Sequence, residues 1–495
     1  MLTSRRHFLR QTGLTAALGG WLAPSSRGAS PGTGGAGGAI PRHIIHLVAD
    51  GTSWGTLTVA DYFSRLKRQR GLRWLELYQR PDTVHALVNM RSLNSVVTDS
   101  AAASTSWGSG SRVKNGSLNL LPDGRELLPL CRLLSEAGWK RGLVTTTEIT
   151  HATPAGFAAN AQRDNAETIA EQYLTRRLDV LLGGGSQYFA AGKRKDKRDL
   201  IADYRRAGYH VAEKQADLAA APLDRPWLGI FAEGHLPYTL DHQADARLRE
   251  RVPTLAEMTR RALRKLGRED RFLLQVEGGR VDHAAHANDI AAAVHDLLAF
   301  DEAIEVCLEF QQREPETLLV ITTDHGTANP GLNSSGGSGD AKKAPAFHHL
   351  LRARASFAEM ARRWGEDHTP GRLQQVVQEA TGYKVPDAKA VFLASFFAKQ
   401  GWALYDAMNS THVQLGQLLG NYYGVGWTSG EHTADFVPLL ALGPGAARFR
   451  GFLQNTDIFH HYMVLAGIDY RNPEVPLWVE SGPAAAEVEH LPRQV

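Results

Sequence analysis

Short apolar runs recur along this chain, and most of them end on glycine or on an ionisable side chain. Residues 43–49, 84–89, 142–147, 178–182, 228–232, 272–276, 317–323 and 437–442 each read as a strand buried on both faces. Val96-Val97 adds a shorter strand-like piece. Helical periodicity falls between the runs: 253–266, with Pro253 at a favoured start, and 291–310. Arg163 follows His151-Ala152-Thr153-Pro154-Ala155 on a segment that also reads as helix. Alternation of this kind predicts an α/β fold, a three-layer sandwich with a mostly parallel central sheet flanked by helices. Residues 333–340 are Gly/Ser-rich and the stretch to about 419 reads as short helices, including 372–380 and 388–399. The organisation expected is an α/β domain in 41–332 and 426–477, with a mostly helical insertion in 333–425.

The 495 residues suffice for one large domain with insertions. The net charge of +3 comes from the start of the chain, where Arg5, Arg6, Arg10 and Arg27 stand without an acid. Without them the balance is 51 basic against 52 acidic side chains, which gives no reason to expect nucleic-acid-specific binding. Twin arginines ahead of a short, glycine-diluted apolar run resemble a twin-arginine export signal, here residues 1–30, followed by a Gly-rich linker, 31–40. The run is too short to span a bilayer. The expected partner is the twin-arginine export machinery, and the expected location is periplasmic or extracellular. Cys131 and Cys307 sit alone in apolar helical patterns and read as buried thiols, neither a metal motif nor a disulfide framework.

Candidate chemistry gathers where the apolar runs stop. Asp50 follows the first run; Glu277, Asp282 and His286 follow the sixth; Asp324-His325 follow the seventh; His432 stands just before the eighth. Each desolvated carboxylate at a buried strand end costs several kcal/mol unless it binds something positive. An isolated Asp-His pair is more often a loop hydrogen bond than a metal site, so it is the joint occurrence that points to metal. Histidine and aspartate suit zinc; carboxylates with hydroxyl and water suit magnesium. Ser100, within Val97-Thr98-Asp99-Ser100-Ala101-Ala102-Ala103, falls at the N-cap or first turn of a helix, where an anion is favoured. There it is either a plain cap or a nucleophile that needs its pKa lowered.

Taken in order, Asp99-Ser100-Ala101, His151-Ala152-Thr153-Pro154-Ala155, Glu277-Gly278-Gly279-Arg280-Val281-Asp282-His283 with His286, Thr323-Asp324-His325 and Glu431-His432-Thr433 resemble the alkaline phosphatase family from about residue 44 to 459. That resemblance implies two zinc ions and one magnesium ion per chain. Asp282, His286 and His432 would hold the first zinc; Asp50, Asp324, His325 and the Ser100 oxygen the second. Asp50, Thr153 and Glu277 would hold the magnesium, with His151 and His283 just outside it. Ser100 would be the nucleophile and Arg163 the phosphate-gripping guanidinium. The implied activity is hydrolysis of small phosphate monoesters to alcohol and inorganic phosphate through a phosphoserine, and a homodimer is left open. A phosphodiesterase or sulfatase of the same superfamily is the alternative, and Glu277 and Thr153 speak against it. An exported phosphate-binding protein without turnover would have no need of Ser100.

Overall fold

The computed structural model describes residues 40–333 and 346–477. The segment expected to be an export signal, nearly all of the expected linker, most of the Gly/Ser stretch and the tail from 478 lie outside the described residues. Ten strands form one sheet: β1 (His43–Val48), β2 (Thr83–Asn89), β3 (Lys140–Glu148), β4 (Val180–Gly184), β5 (His210–Ala212), β6 (Trp227–Ile230), β7 (Phe272–Glu277), β8 (Thr317–Thr322), β9 (Val437–Leu442) and β10 (Gly451–Gln454). Their order is β10-β2-β9-β8-β1-β7-β3-β4-β6-β5. Nine run parallel, and β9 alone is reversed, antiparallel to both β8 and β2. The α/β sandwich expected from the alternation is the fold observed.

The central strands are buried on both faces because alternate residues enter two separate cores. Ile45 and Leu47 of β1 join a cluster on one side, while Ile44 and Val48 join a cluster on the other. The 24-residue helix Ile290–Arg313 covers the first face with Val294, Leu297 and Ile304. Leu350, Met360, Leu373, Val376 and Leu415, from the helical stretch after the Gly/Ser segment, belong to that same cluster.

The register fixes where the site must lie. Val48 of β1 is level with Glu277 of β7 and Thr322 of β8, and Thr145 of β3 is level with Glu277. Asp50, Glu277 and Asp324 therefore emerge side by side at the C-terminal ends of three adjacent strands, the usual ligand edge of an open α/β sheet.

Three local expectations are corrected. Val96-Val97 is not a strand: Val97 N donates to Ser95 Oγ and Asn115 Nδ2 donates to Val97 O, so side chains take the place of a ladder. Arg163 is not helical. It follows the two-residue strand Ala161–Gln162, its N–H donates to Gly116 O at 2.9 Å, and a turn through Asp164-Asn165 precedes the helix that begins at Ala166. The helix expected from Pro253 begins at Leu255, because Thr254 caps it: Glu257 N donates to Thr254 Oγ1 and Thr254 N to Glu257 Oε2.

Candidate active site

Ser100 opens the Ser100–Ser109 helix, with Asp99 as N-cap: Ala102 N donates to Asp99 Oδ1 at 2.9 Å. All ten helix residues are buried, and the hydroxyls of Ser106 and Ser109 bond back to carbonyls one turn earlier. Ser104 Oγ also donates to Ala152 O, tying this helix to the short helix Ala152–Gly156 that carries Thr153. The crossing depends on glycine. A Cβ on Gly108 would collide with the Gly156 carbonyl, and one on Gly156 with the Ser104 side chain.

Donor atoms converge on Ser100. His325 Nε2 lies 3.2 Å from Ser100 Oγ, 3.2 Å from Asp324 Oδ2 and 3.6 Å from Asp50 Oδ1. On the other side of His325 the His432 ring stacks at 3.7 Å between centroids. Asp282 faces both remaining imidazoles, with His286 Nε2 at 3.4 Å and His432 Nε2 at 3.7 Å. His286 Nδ1 donates to Gly430 O at 2.6 Å, and His432 Nδ1 to Thr98 O at 2.9 Å. With Nδ1 protonated by those bonds, each ring turns its Nε2 lone pair toward Asp282, the arrangement a metal-binding histidine adopts.

Three overlapping groups could each hold a cation: Asp282, His325 and His432; Asp50, Asp324 and His325; Asp50, His151 and Glu277. Within each group the donor atoms lie within 4.8 Å of one another. Their hydrogen bonding tests the fit. Asp50 Oδ1, Asp324 Oδ2, Glu277 Oε1 and His151 Nδ1 are buried atoms with no hydrogen-bond partner among the described residues. A buried carboxylate or imidazole ordinarily has its polar atoms paired, and these four belong to residues of the clusters. Electrostatics agree. Burial, then the charges of Asp324, Asp282 and Glu277, holds the Asp50 carboxyl well above its ordinary range, and burial with Asp282 pushes Asp324 up to about 6. Burial lowers His325 to about 4 and His432 to about 3. Burial would also raise Asp282, but the positive charge that His286, His432 and His325 carry when protonated outweighs it and holds the carboxyl low, the response this carboxylate would also give to a bound cation. Carboxylates this close ionise together only when cations stand between them.

The other expected residues fall around these clusters. Thr153 Oγ1 is 3.5 Å from Asp50 Oδ2. His151, expected just outside the magnesium set, has its Nδ1 inside the group with Asp50 and Glu277, 3.8 Å from Glu277 Oε1. His283 stands farther out; its ring is 5.5 Å from that of His151, and its Nδ1 accepts from Arg280 Nη1 at 2.6 Å. Arg163 reaches the site by ion-pairing with Asp99 at 2.9 Å, and its Nη2 approaches His151 Nε2. A cleft of about 760 Å³ opens above Ser100, lined among others by Glu148, Tyr188, His235, Arg280, Asp406 and Val413.

Sequence reasoning missed three participants. Asp99 is both helix cap and partner of Arg163. Thr327 Oγ1 donates to Asp282 Oδ1 at 2.5 Å and lies 3.3 Å from His325 Nδ1. His235 packs its ring 4.4 Å from His283. It stands in Gly234-His235-Leu236-Pro237-Tyr238, just past the end of β6, so the rule that exposed the other strand-end residues would have found it.

A mostly parallel sheet with carboxylate and imidazole clusters at its ligand edge, and a serine among them, defines a metal-binding hydrolase of mixed α/β fold. The alkaline phosphatase family model matches residues 41–468, and the chain belongs to that family, a phosphomonoesterase by class. It is 32% identical over 382 residues to alkaline phosphatase 3 of Bacillus subtilis, covering 73% of this chain and 75% of that one. Alkaline phosphatase of Escherichia coli K12 is 29% identical over 334 residues, covering 58% and 70%. The crystal structure of Thermus thermophilus alkaline phosphatase superposes with a TM-score of 0.82 at 34% identity, covering 90% of this chain and 98% of that one.

Proposed function

We propose that the protein hydrolyses phosphate monoesters through a phosphoserine on Ser100, at a site of two zinc ions and one magnesium ion. The observation that carries this reading is Ser100 Oγ at 3.2 Å from His325 Nε2, at the edge of donor clusters that share His325 and Asp50. Asp282, His286 and His432 would hold one zinc; Asp50, Asp324 and His325, with Ser100 Oγ, the other; Asp50, Thr153 and Glu277 the magnesium. When bound, these cations supply Lewis acidity toward the phosphoryl oxygens.

The residues' own parts follow from their placement. Ser100 Oγ gives up its proton to solvent and attacks phosphorus, the bond to the alcohol oxygen breaks, and the alcohol leaves with a proton from solvent. Water then attacks the phosphoserine, which restores Ser100 and releases inorganic phosphate. Arg163 offers its guanidinium to two phosphoryl oxygens while Asp99 keeps its plane fixed. The positive end of the Ser100–Ser109 helix favours the phosphoryl dianion. Nothing in this grip reads the alcohol, so small monoesters of many kinds fit.

Acid-quenched enzyme incubated with a monoester near pH 5, then examined by peptide mass spectrometry, should carry phosphate on the Ser100 peptide, and Ser100→Ala should not. Active enzyme that never shows the adduct at any pH would overturn the serine route. Elemental analysis of the same preparation should find zinc and magnesium near 2:1.

Export to the periplasm or beyond by the twin-arginine machinery is supported by Arg5-Arg6 and the short apolar run behind them. Arg5→Lys with Arg6→Lys should leave precursor in the cytoplasm, and normal export of that variant would refute the route. A homodimer is supported by an exposed apolar patch at the β2/β10 side of the sheet. Phe436 and Phe452 pack ring to ring at 4.9 Å, Trp54 Nε1 donates to Phe436 O, and Leu87 pairs in register with Phe452. Light scattering on Phe436→Asp with Phe452→Asp should read a monomer where the wild type reads a dimer; a wild-type monomer sinks the reading.

A further inference from the structure

The cleft holds a second guanidinium that the proposed chemistry does not use. Arg280, at the start of the Arg280–His286 helix, lines the same cavity as Ser100 and Arg163. Its Nη1 donates to His283 Nδ1 at 2.6 Å, and its guanidinium carbon lies 3.8 Å from the centroid of the Tyr238 ring. Stacking on that ring fixes its plane. Its charge is felt by Asp296, Glu148 and Asp241, but among the described residues no carboxylate oxygen stands within ion-pair distance of it and no hydrogen bond engages its Nη2. A guanidinium that lines a substrate cleft with no carboxylate in direct contact keeps a free edge for an anion that the cleft admits.

His235 stands beside it with a defined donor. The Glu148 backbone N–H donates to His235 Nδ1 at 3.1 Å, so the ring's own proton sits on Nε2. The Glu148 carboxylate is engaged by Gln187 Nε2 at 2.8 Å. The ring of His235 is 4.4 Å from that of His283 and 5.8 Å from that of His151. Arg280 is thus separated from Arg163 by the rings of His283 and His151, which contact one another at 5.5 Å. Two guanidiniums at the two ends of one pair of imidazoles match two anionic groups a few bonds apart on one small molecule.

We infer that Arg280 and His235 form a subsite for a second anionic group, carboxylate or phosphate, carried on the alcohol side of the monoester. The inference rests on the phosphomonoester reading above and adds a substrate preference to it. A planar donor held against an aromatic ring, with an imidazole N–H lining the same cleft, recognises an oxyanion and not a cationic or apolar tail.

Matched pairs of substrates test this. Glycerol 3-phosphate is compared with 3-phosphoglycerate for a carboxylate, and 3-hydroxypropyl phosphate with propane-1,3-diyl bisphosphate for a phosphate. Wild-type kcat/KM for glycerol 3-phosphate examines the phosphomonoesterase reading alone. The subsite is read from the ratio of anionic to neutral probe. Taken per scissile phosphate, of which the bisphosphate has two, that ratio should exceed one at low salt, decline as salt rises, and fall about 10- to 100-fold in Arg280→Gln with metal content intact. Arg280→Lys should restore part of it, and His235→Phe should lower it less than Arg280→Gln. The pair with the larger ratio shows which anion the subsite takes. A wild-type ratio of one or below in both pairs overturns the inference without need of any variant. So does an equal loss for both probes in Arg280→Gln, which would mean that Arg280 acts only by positioning His283.

Discussion

Asp99 Oδ2 accepts Arg163 Nη1 and the Gly116 N–H, each at 2.9 Å, while its Oδ1 caps the Ser100 helix. One carboxylate therefore sets both the start of the nucleophile's helix and the position of the phosphate-facing guanidinium. Asp99→Ala should raise the inhibition constant of inorganic phosphate several-fold and lower the melting temperature by the loss of a cap, about 1 kcal/mol. Arg163→Ala should cut kcat/KM about 30- to 1000-fold with metal content unchanged, the scale of a lost charge-assisted pair. Undiminished kcat/KM in Arg163→Ala would remove that residue from the site.

Metal removal should act on stability as well as on turnover. The clusters leave Asp50, Asp282, Asp324 and Glu277 facing each other, and a cation that binds only the folded state at 100 times its Kd adds about 2.7 kcal/mol. Excess chelator should therefore abolish activity and lower the melting temperature, and zinc with magnesium should restore both. Identical melting curves with and without chelator would contradict the metal assignment.

Gly51 tests the backbone behind the clusters. Its φ is +66°, and a Cβ there would stand 2.7 Å from both Asp282 Cβ and Thr327 Oγ1. Gly51→Ala should misplace Asp282 and Thr327 together, so zinc content and activity should fall in parallel. Full zinc content in a folded Gly51→Ala protein would show that the cleft can yield there.

A buried acid sets part of the pH dependence of stability. Burial pushes Asp296 up to about 7, against the Arg280 charge and the two hydrogen bonds that Thr239 donates from N and Oγ1. The folded chain holds this proton over a range where the unfolded chain has lost it, so stability falls as pH rises from about 4 through 7. Asp296→Asn keeps both Thr239 contacts without a charge. It should raise the melting temperature at pH 8 and do so much less at pH 5; an equal gain at both would locate the effect elsewhere.

The strand ends were legible because strands buried on both faces appear as continuous apolar runs, and a carboxylate at the end of such a run stands out. Asp50, Glu277 and Asp324 all carry that signal. His432 precedes its apolar run, since β9 is the reversed strand and its beginning meets the ends of the others. Arg163 was assigned to the wrong element because its backbone is held by Gly116, a partner 47 positions away that no local pattern reveals. Thr327 and the Asp99–Arg163 pair were hidden for the same reason: neither has a periodicity, and both depend on contacts made only after the sheet has formed.

The hydrogen bond from His432 Nδ1 to Thr98 O has a mechanical consequence. Thr98 is two residues before Ser100, so the peptide that leads into the reactive serine also serves as the stop against which an imidazole is turned. A displacement of that peptide would be felt at once by the attacking oxygen and by the ring that stacks on His325. The loop from Val97 to Ser100 is thus a shared hinge pin, and its length has no freedom: a residue added or removed there would detune two parts of the site in one step.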